Sequence, residues 1–455
     1  MNNHYHFVGI GGIGMSGIAQ LMLHSGAEVS GSDLKESRAT RELRQLGARI
    51  YIGHRPENIN GARLVVYSSA VKEDNPEIAE ARKRGITLMK RAEALARLMQ
   101  DKTVITVAGS HGKTTTTSLV SYLLIEAHLS PTVAIGGILK NIDNNACLGR
   151  GRYFVAEADE SDGSFLYYNP VYSIVTNIDH EHLDYYVNFD NEISAFRDFI
   201  NKTDKEGCLF VCSDDENLYK IMSDYKGRKV SFGLKPSADV QAQDIKLNGL
   251  NSEFNSIYKG KALDRFKLSL GGRHNISNAL SVIALGLELG IELSFIKKTL
   301  ERYKGAGRRL EVKSKAKGIM VIDDYAHHPT EIQATLSVAK TLKHKRLICA
   351  FQPHRYTRTK LLLNEFAPSF NDADYIIITD IYPASELPIP GVEGKVLYDK
   401  IKNYYADKKV IFLPKEEIKD YVLEELRTGD IFLTLGAGDI VKVSDELVEE
   451  LKRKS

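Results

Sequence analysis

Hydrophobic residues along this chain gather in short unbroken runs, and between the runs they recur at helical spacing. Residues 6–9, 103–108, 346–351, 375–379, 410–413 and 431–435 are such runs, the pattern of strands buried on both faces. Residues 15–25 and 443–454 carry apolar positions three and four apart, which predicts helices. The alternation predicts an α/β architecture on mostly parallel sheets. It restarts near Tyr5, Thr103 and Gly318, so three domains are expected, at residues 1–97, 98–311 and 312–455. Linkers are expected near 95–101 and 311–317. Residues 239–270 break the pattern: Phe266-Lys267-Leu268-Ser269-Leu270 alternates apolar with polar, so a small antiparallel insert is expected there.

Composition narrows the class. At 455 residues the chain has surface to bury in about three domains. Lys+Arg 61 against Asp+Glu 59 leaves a net charge of +2, which argues against a dedicated nucleic-acid binder. With 43% hydrophobic and 26% charged residues the chain is not disordered. Residues 7–23 are uncharged, but Gly9, Gly11, Gly12, Gly14 and Gly17 interrupt them and no basic segment precedes them. Neither a signal peptide nor a membrane span is expected, and the chain reads as cytoplasmic. Cys147, Cys208, Cys212 and Cys349 form no CxxC pair, which speaks against zinc or dithiol chemistry. Cys208 and Cys212 read as buried thiols of a strand.

Two glycine loops carry the candidate chemistry. In the first, Gly9-Ile10-Gly11-Gly12-Ile13-Gly14 follows a strand and opens a helix, as in a Rossmann-like fold. Its backbone can approach a phosphate, and Asp33 at the end of the next strand can accept from a ribose or base. A nicotinamide dinucleotide is one reading of this loop and another phosphate-bearing ligand is the other. The second loop, Gly109-Ser110-His111-Gly112-Lys113-Thr114-Thr115, is more specific. It is a P-loop-type turn in which Lys113 can reach phosphate oxygens and the Thr114 hydroxyl a Mg²⁺ ion. It is shorter than the GxxxxGK[ST] pattern, because Val107 stands where that pattern has its first glycine.

Metal ligands are expected downstream. Residues 154–162 end a strand in four carboxylates, where a ligand site opens; a solvated edge is a reasonable alternative for Glu160 or Asp162 singly, less so for Glu157, which directly follows an apolar run. His180 and His182 alternate, so one of them is expected to face the site. No soft ligand accompanies them, and a divalent ion shared with phosphates fits better than zinc. Arg355 and Arg358 follow the run at 347–351, where a strand end favours a site over a bare surface. Gly436-Ala437-Gly438-Asp439 reads as a tight strand-to-helix turn.

Taken together these segments resemble the Mur ligases, ATP-dependent amide-forming enzymes of peptidoglycan precursor synthesis. The resemblance rests on the shortened loop at Gly109–Thr115 and on Gly9 to Ala19. It extends to Gly271-Gly272-Arg273-His274-Asn275-Ile276-Ser277-Asn278-Ala279, Asp323-Asp324-Tyr325-Ala326-His327-His328-Pro329-Thr330-Glu331 and Phe351-Gln352-Pro353-His354-Arg355-Tyr356-Thr357-Arg358-Thr359. It implies that residues 1–97 hold a UDP-sugar, with Gly11, Gly12 and Gly14 at its phosphates and Asp33 and Ser68 nearby. It implies that residues 98–311 hold ATP through Gly109, Ser110, His111, Gly112, Lys113, Thr114 and Thr115, with Asn275 and Asn278 at adenine and Arg309 and Asp323 or Asp324 completing the site. Thr114, Glu157 and His182 would hold Mg²⁺, two ions being implied. Tyr325, His327, Arg355 and Arg358 of the C-terminal, Rossmann-like domain would surround an amino acid and the reacting phosphate. The implied reaction joins L-alanine to the lactyl carboxylate of UDP-N-acetylmuramate, and its alternative attaches a murein tripeptide to the same nucleotide. A monomer or weak homodimer is implied, with no nucleic-acid partner. Some members carry a carbamylated lysine near the second ion; Ile193-Ser194-Ala195-Phe196-Arg197, at the corresponding place, has no lysine. His327 as the base that neutralises the incoming amine and His327 as a packed, hydrogen-bonded residue both remain open.

Overall fold

The computed structural model describes residues 3–68, 70–384 and 386–453. Its strands form three sheets. The first is parallel, in the order Arg49–Ile52, Glu28–Asp33, His4–Val8, Leu64–Tyr67 and Thr87–Lys90. Phe7, Val8, Val65 and Val66 are inaccessible at its centre, as expected of runs covered on both faces. Helix Ile13–His24 leaves directly from the first glycine loop.

The second sheet has ten strands, with Thr103–Ala108 between Tyr172–Val175 and Tyr153–Glu157. Helix Lys113–Glu126 follows the second glycine loop and is buried from Thr114 to Leu124, so it is a core element. The expected insert is present as Val240–Asn248, Asn251–Tyr258 and Lys261–Leu268 at one end of the sheet. Two-residue turns join these strands, which makes them antiparallel neighbours.

The third sheet runs Glu311–Ala316, Ile319–Asp324, Ile431–Leu435, Leu347–Phe351, Tyr375–Ile378 and Lys409–Phe412. All of its pairs are parallel except the first. Here the linker expected near 311–317 is corrected: those residues are an edge strand paired with Ile319–Asp324, and the boundary at 311 falls inside it. The linker expected near 95–101 likewise overlaps helix Arg91–Leu98. Helix Val441–Arg453 closes the chain against this sheet.

Two compact units contain these sheets. One comprises Met1–Gln243, Ser256–Asp264 and Ser277–Lys304, and the other Asp244–Asn255, Arg265–Ile276 and Gly305–Ser455. The first sheet and the second sheet, apart from much of its insert, fall in the first unit. They are tied by Asn145 Nδ2 donating to Ile13 O at 2.7 Å and by the ion pair Arg91–Asp159 at 3.2 Å.

Candidate active site

The second glycine loop turns sharply because two of its residues have backbone shapes that side chains resist. Gly109 has φ +133°, and a Cβ there would overlap Thr176 Oγ1. Gly112 has φ +83° and lies against Asn278, whose Oδ1 is 2.9 Å from where a Cβ would be. The loop is braced from the next strand end. His111 N donates to Asn177 Oδ1 at 2.8 Å, Thr176 Oγ1 donates to His111 O at 2.6 Å, and His111 Nε2 meets Asp179 Oδ2 at 2.8 Å. Thr176 and Asn177 had no role in the sequence reading. Lys113 folds back over the loop, donating to Gly109 O at 2.6 Å, Ser110 O at 3.2 Å and Glu160 Oε1 at 2.7 Å. Burial pulls its pKa down, but Glu160, with Asp159 and Glu157 beyond it, outweighs burial and holds it above the ordinary lysine value. The ammonium is therefore a fixed charge. Thr114 and Thr115 are buried on the first turn of the helix.

Glu160 is the main correction to the sequence reading. The alternative of a solvated edge fails for it: it is inaccessible to solvent, and besides Lys113 it meets His182 Nε2 at 3.5 Å. Its second oxygen, Oε2, is buried with no hydrogen-bond partner. His182 also meets Glu181 Oε2 at 3.2 Å. Burial lowers the His182 pKa, while the hydrogen bond to Glu160 and the Glu181 charge raise it further, for a net rise. His180 is exposed and stacks on Phe189, so of the alternating pair only His182 faces inward, as expected. Glu157 lies along Gly136, and Thr114 along Gly137. Gly136 N donates to its Oε1 at 3.0 Å, and a Cβ on Gly137 would stand 2.9 Å from Thr114 Cγ2. This glycine pair, unremarked in the sequence, gives Glu157 and Thr114 their room. Carboxylate and hydroxyl oxygens such as those of Glu157 and Thr114, and the orphaned Glu160 Oε2, are of the kind that suits a hard divalent cation.

In the first loop, Gly11 N donates to Asp33 Oδ2 at 2.8 Å, so the acid expected at a ribose also holds the loop. A Cβ on Gly14 would stand 3.3 Å from Arg91 Cδ. The Arg91 guanidinium thus lies along this loop while pairing with Asp159, and the sequence reading gave it no part. Ser68 closes strand Leu64–Tyr67, its hydroxyl accepting from Ala70 N at 3.2 Å.

The C-terminal unit gathers a separate set. Asp323 is inaccessible, paired with Arg308 at 3.0 Å and accepting from Thr434 Oγ1 at 2.7 Å. Asp324 accepts from Leu310 N at 2.6 Å and Ala326 N at 2.7 Å; burial pushes its pKa up to about 6, opposed chiefly by Arg309. Arg309 lies over the Tyr325 ring at 5.2 Å and near Glu331 at 3.7 Å. Tyr325, His327 and His354 meet edge to face, at 5.4 Å and 5.6 Å between centroids. Arg355 begins helix Tyr356–Leu361 with φ 70° and ψ 140°, and Arg358 NH1 reaches His354 Nδ1 at 3.1 Å. Asn275 and Asn278 lie on the first turns of helix Arg273–Glu288, Asn275 donating to Gly271 O at 2.8 Å.

Comparison with known proteins places these parts. Three family models match in chain order: the "Mur ligase family, catalytic domain" at residues 4–103, the "Mur ligase middle domain" at 107–286 and the "Mur ligase, glutamate ligase domain" at 308–438. The chain is 47% identical over 447 residues to the UDP-N-acetylmuramate–L-alanine ligase of Geotalea daltonii, covering 98% of each. Among solved structures, the UDP-N-acetylmuramate–alanine ligase of Thermotoga maritima aligns with TM-score 0.86 and 32% identity over 99% of this chain and 100% of its own. A murein peptide ligase from Psychrobacter arcticus aligns with TM-score 0.74 and 25% identity over 98% of each. The three-domain α/β arrangement expected from the sequence therefore holds, and the chain belongs to the Mur ligase family.

Proposed function

We propose that the chain joins L-alanine to the lactyl carboxylate of UDP-N-acetylmuramate at the expense of ATP, releasing ADP and phosphate. The observation that carries this reading is a lysine in a glycine loop, locked in a carboxylate network, in a chain 47% identical end to end to a ligase so named. The murein peptide ligase, at 25% identity, is the weaker match, so alanine is preferred to a tripeptide.

A carboxylate is a poor electrophile and must first be activated. One lactyl oxygen attacks the γ-phosphorus, the bond to the β-phosphate oxygen breaks, and ADP leaves from an acyl phosphate. Lys113 is already charged and held at its loop, so it opposes the charge that develops on the transferring phosphoryl group. Gly109 to Thr115 cradle the phosphates through backbone N–H groups. Thr114, Glu157 and His182 would hold Mg²⁺, two ions in all, and Glu160 Oε2 offers a further oxygen. Such an ion neutralises phosphate charge. Asn275 and Asn278 lie at adenine, and Arg309 and Asp323 complete the ATP site.

The alanine amine then attacks the acyl carbon, phosphate departs with its bonding pair, and the amine sheds a proton. His327 is arranged to take it. Its Nδ1 lies 3.0 Å from Tyr325 O and 3.3 Å from Glu331 Oε2, and both of those are acceptors. In the neutral ring the proton therefore sits on Nδ1, which makes Nε2 the basic nitrogen. Arg355 and Arg358 take the alanine carboxylate and the departing phosphate, since a guanidinium fork matches both. Gly11, Gly12, Gly14, Asp33 and Ser68 hold the UDP moiety. Among the described residues no helix is long and apolar enough to cross a membrane. The enzyme works in the cytoplasm as a monomer or weak homodimer. Phosphate release should require UDP-N-acetylmuramate and L-alanine together, and a murein tripeptide should not replace alanine. Appearance of AMP and pyrophosphate would overturn the acyl-phosphate route.

A further inference from the structure

Tyr382 and Glu386 take no part in the mechanism above, yet they grip the arginine-bearing turn from several sides. Tyr382 N donates to Pro353 O at 2.8 Å and Arg355 N donates to Tyr382 O at 2.9 Å, a parallel bridge around His354. The Tyr382 ring stacks on the His354 ring with centroids 5.7 Å apart and planes 8° from parallel. Glu386 holds the start of helix Tyr356–Leu361: Thr357 Oγ1 donates to its Oε1 at 2.5 Å and Thr357 N to its Oε2 at 3.0 Å. Between these grips sits Arg355 at φ 70°, a shape that a non-glycine residue keeps only when its surroundings impose it.

The consequence reaches the side chains. An arginine can only donate, so in its contact with Arg358 NH1 the His354 Nδ1 must accept. Neutral His354 therefore carries its proton on Nε2. Tyr382 fixes the plane of that ring, the ring receives the Arg358 guanidinium, and the His327 ring lies 5.6 Å from it.

We propose that Tyr382 and Glu386 are positioning residues of the amino-acid site: they touch no substrate, but the stack on His354 and the cap on Thr357 set where Arg355, Arg358 and His327 stand. The proposal rests on the reading that these three residues surround the alanine, and the test separates the two. Initial rates are measured for the full-length enzyme with each of alanine, ATP and UDP-N-acetylmuramate varied in turn, with Arg358→Ala as the benchmark. Tyr382→Ala and Glu386→Ala are expected to raise the alanine KM about tenfold or more, as small displacements of a binding group do, with the other two KM values within about twofold. Tyr382→Phe keeps the ring and returns the alanine KM to within about threefold of wild type. Thr357→Val removes only the hydroxyl half of the cap and gives an intermediate rise; it decides the matter should Glu386→Ala fail to fold. An unchanged alanine KM in the Tyr382 and Glu386 variants, or a parallel rise in all three KM values, would overturn the proposal while Arg358→Ala behaves as expected. An unchanged alanine KM in Arg358→Ala would overturn the site reading itself, and this inference with it.

Discussion

The two glycine loops share a backbone plan and differ in where their charge comes from. Each follows a parallel strand and opens a helix, and each uses positive-φ glycine to turn, Gly9 in one and Gly109 and Gly112 in the other. The second loop brings its cation within the motif. Lys113 is bonded to two of the loop's own carbonyls and to buried Glu160. The first loop contains no cation. Its neighbouring charges arrive from elsewhere in the chain: Asp33 from the end of the next strand, and Arg91 from the start of helix Arg91–Leu98. On the proposed function, the difference teaches how one scaffold would serve two tasks. A loop that only holds a diphosphate can work with N–H groups and a borrowed guanidinium, whereas a loop at which a phosphoryl group is transferred needs a charge fixed in advance.

The sharpest way to break this contrast is to remove the built-in charge. Lys113→Ala should lower kcat by about 10²–10³-fold, or ~3–4 kcal/mol of barrier, as losing a preorganised donor at a charged transition state does. The measurement is phosphate release at saturating substrates. A loss below about tenfold would mean that the N–H groups of the second loop carry the load alone, and the two loops would then be equivalent.

A smaller effect is expected from removing the borrowed charge. Arg91→Ala should raise the KM for UDP-N-acetylmuramate about tenfold, the scale of one hydrogen bond to a charged group, and leave the KM for ATP in place. Because Arg91 also pairs with Asp159 at 3.2 Å, the alternative is that it serves the ATP side. Isothermal titration with each nucleotide separately distinguishes the two, and a loss of ATP binding equal to the loss of UDP-sugar binding would sink the assignment.

What could be read in the sequence follows the same division. The second loop, its lysine and Glu157 lie in contiguous strand-loop-helix stretches, so their placement was legible. The burial of Glu160 was not legible because strand alternation stops at Glu157, and the turn beyond it sends Glu160 inward past Asp159. Arg91 was missed because only the topology brings helix Arg91–Leu98 back to the first loop. Strand Glu311–Ala316 read as a linker because an edge strand tolerates a polar run such as Lys313-Ser314-Lys315, which hides the strand pattern. The grip of Tyr382 and Glu386 on the arginine turn depends on contacts 27 to 29 positions apart, which no local pattern encodes.

The smallest effect tests what it costs to crowd charge around the second loop. Glu192, on helix Phe189–Asn201, is inaccessible, and neither of its oxygens finds a hydrogen bond of ordinary geometry. Burial, with the Glu160 and Glu181 charges, pushes its pKa from the usual 4.5 up to about 8. A carboxyl whose pKa is raised by folding binds its proton more tightly in the folded state. Its contribution to stability is thus complete below the unfolded value near 4.5 and is lost as pH rises through about 8. Glu192→Gln cannot ionise, so it should flatten that decline. Relative to wild type it should gain about 1–2 kcal/mol between pH 5 and pH 8.5, after allowing for water that enters when the carboxylate forms. The readout is the slope of Tm against pH rather than its absolute level, because the buried amide carries a desolvation cost of its own at every pH. Parallel wild-type and variant curves would show Glu192 already ionised, and crowding carboxylates around Lys113 would then carry no pH penalty at this position.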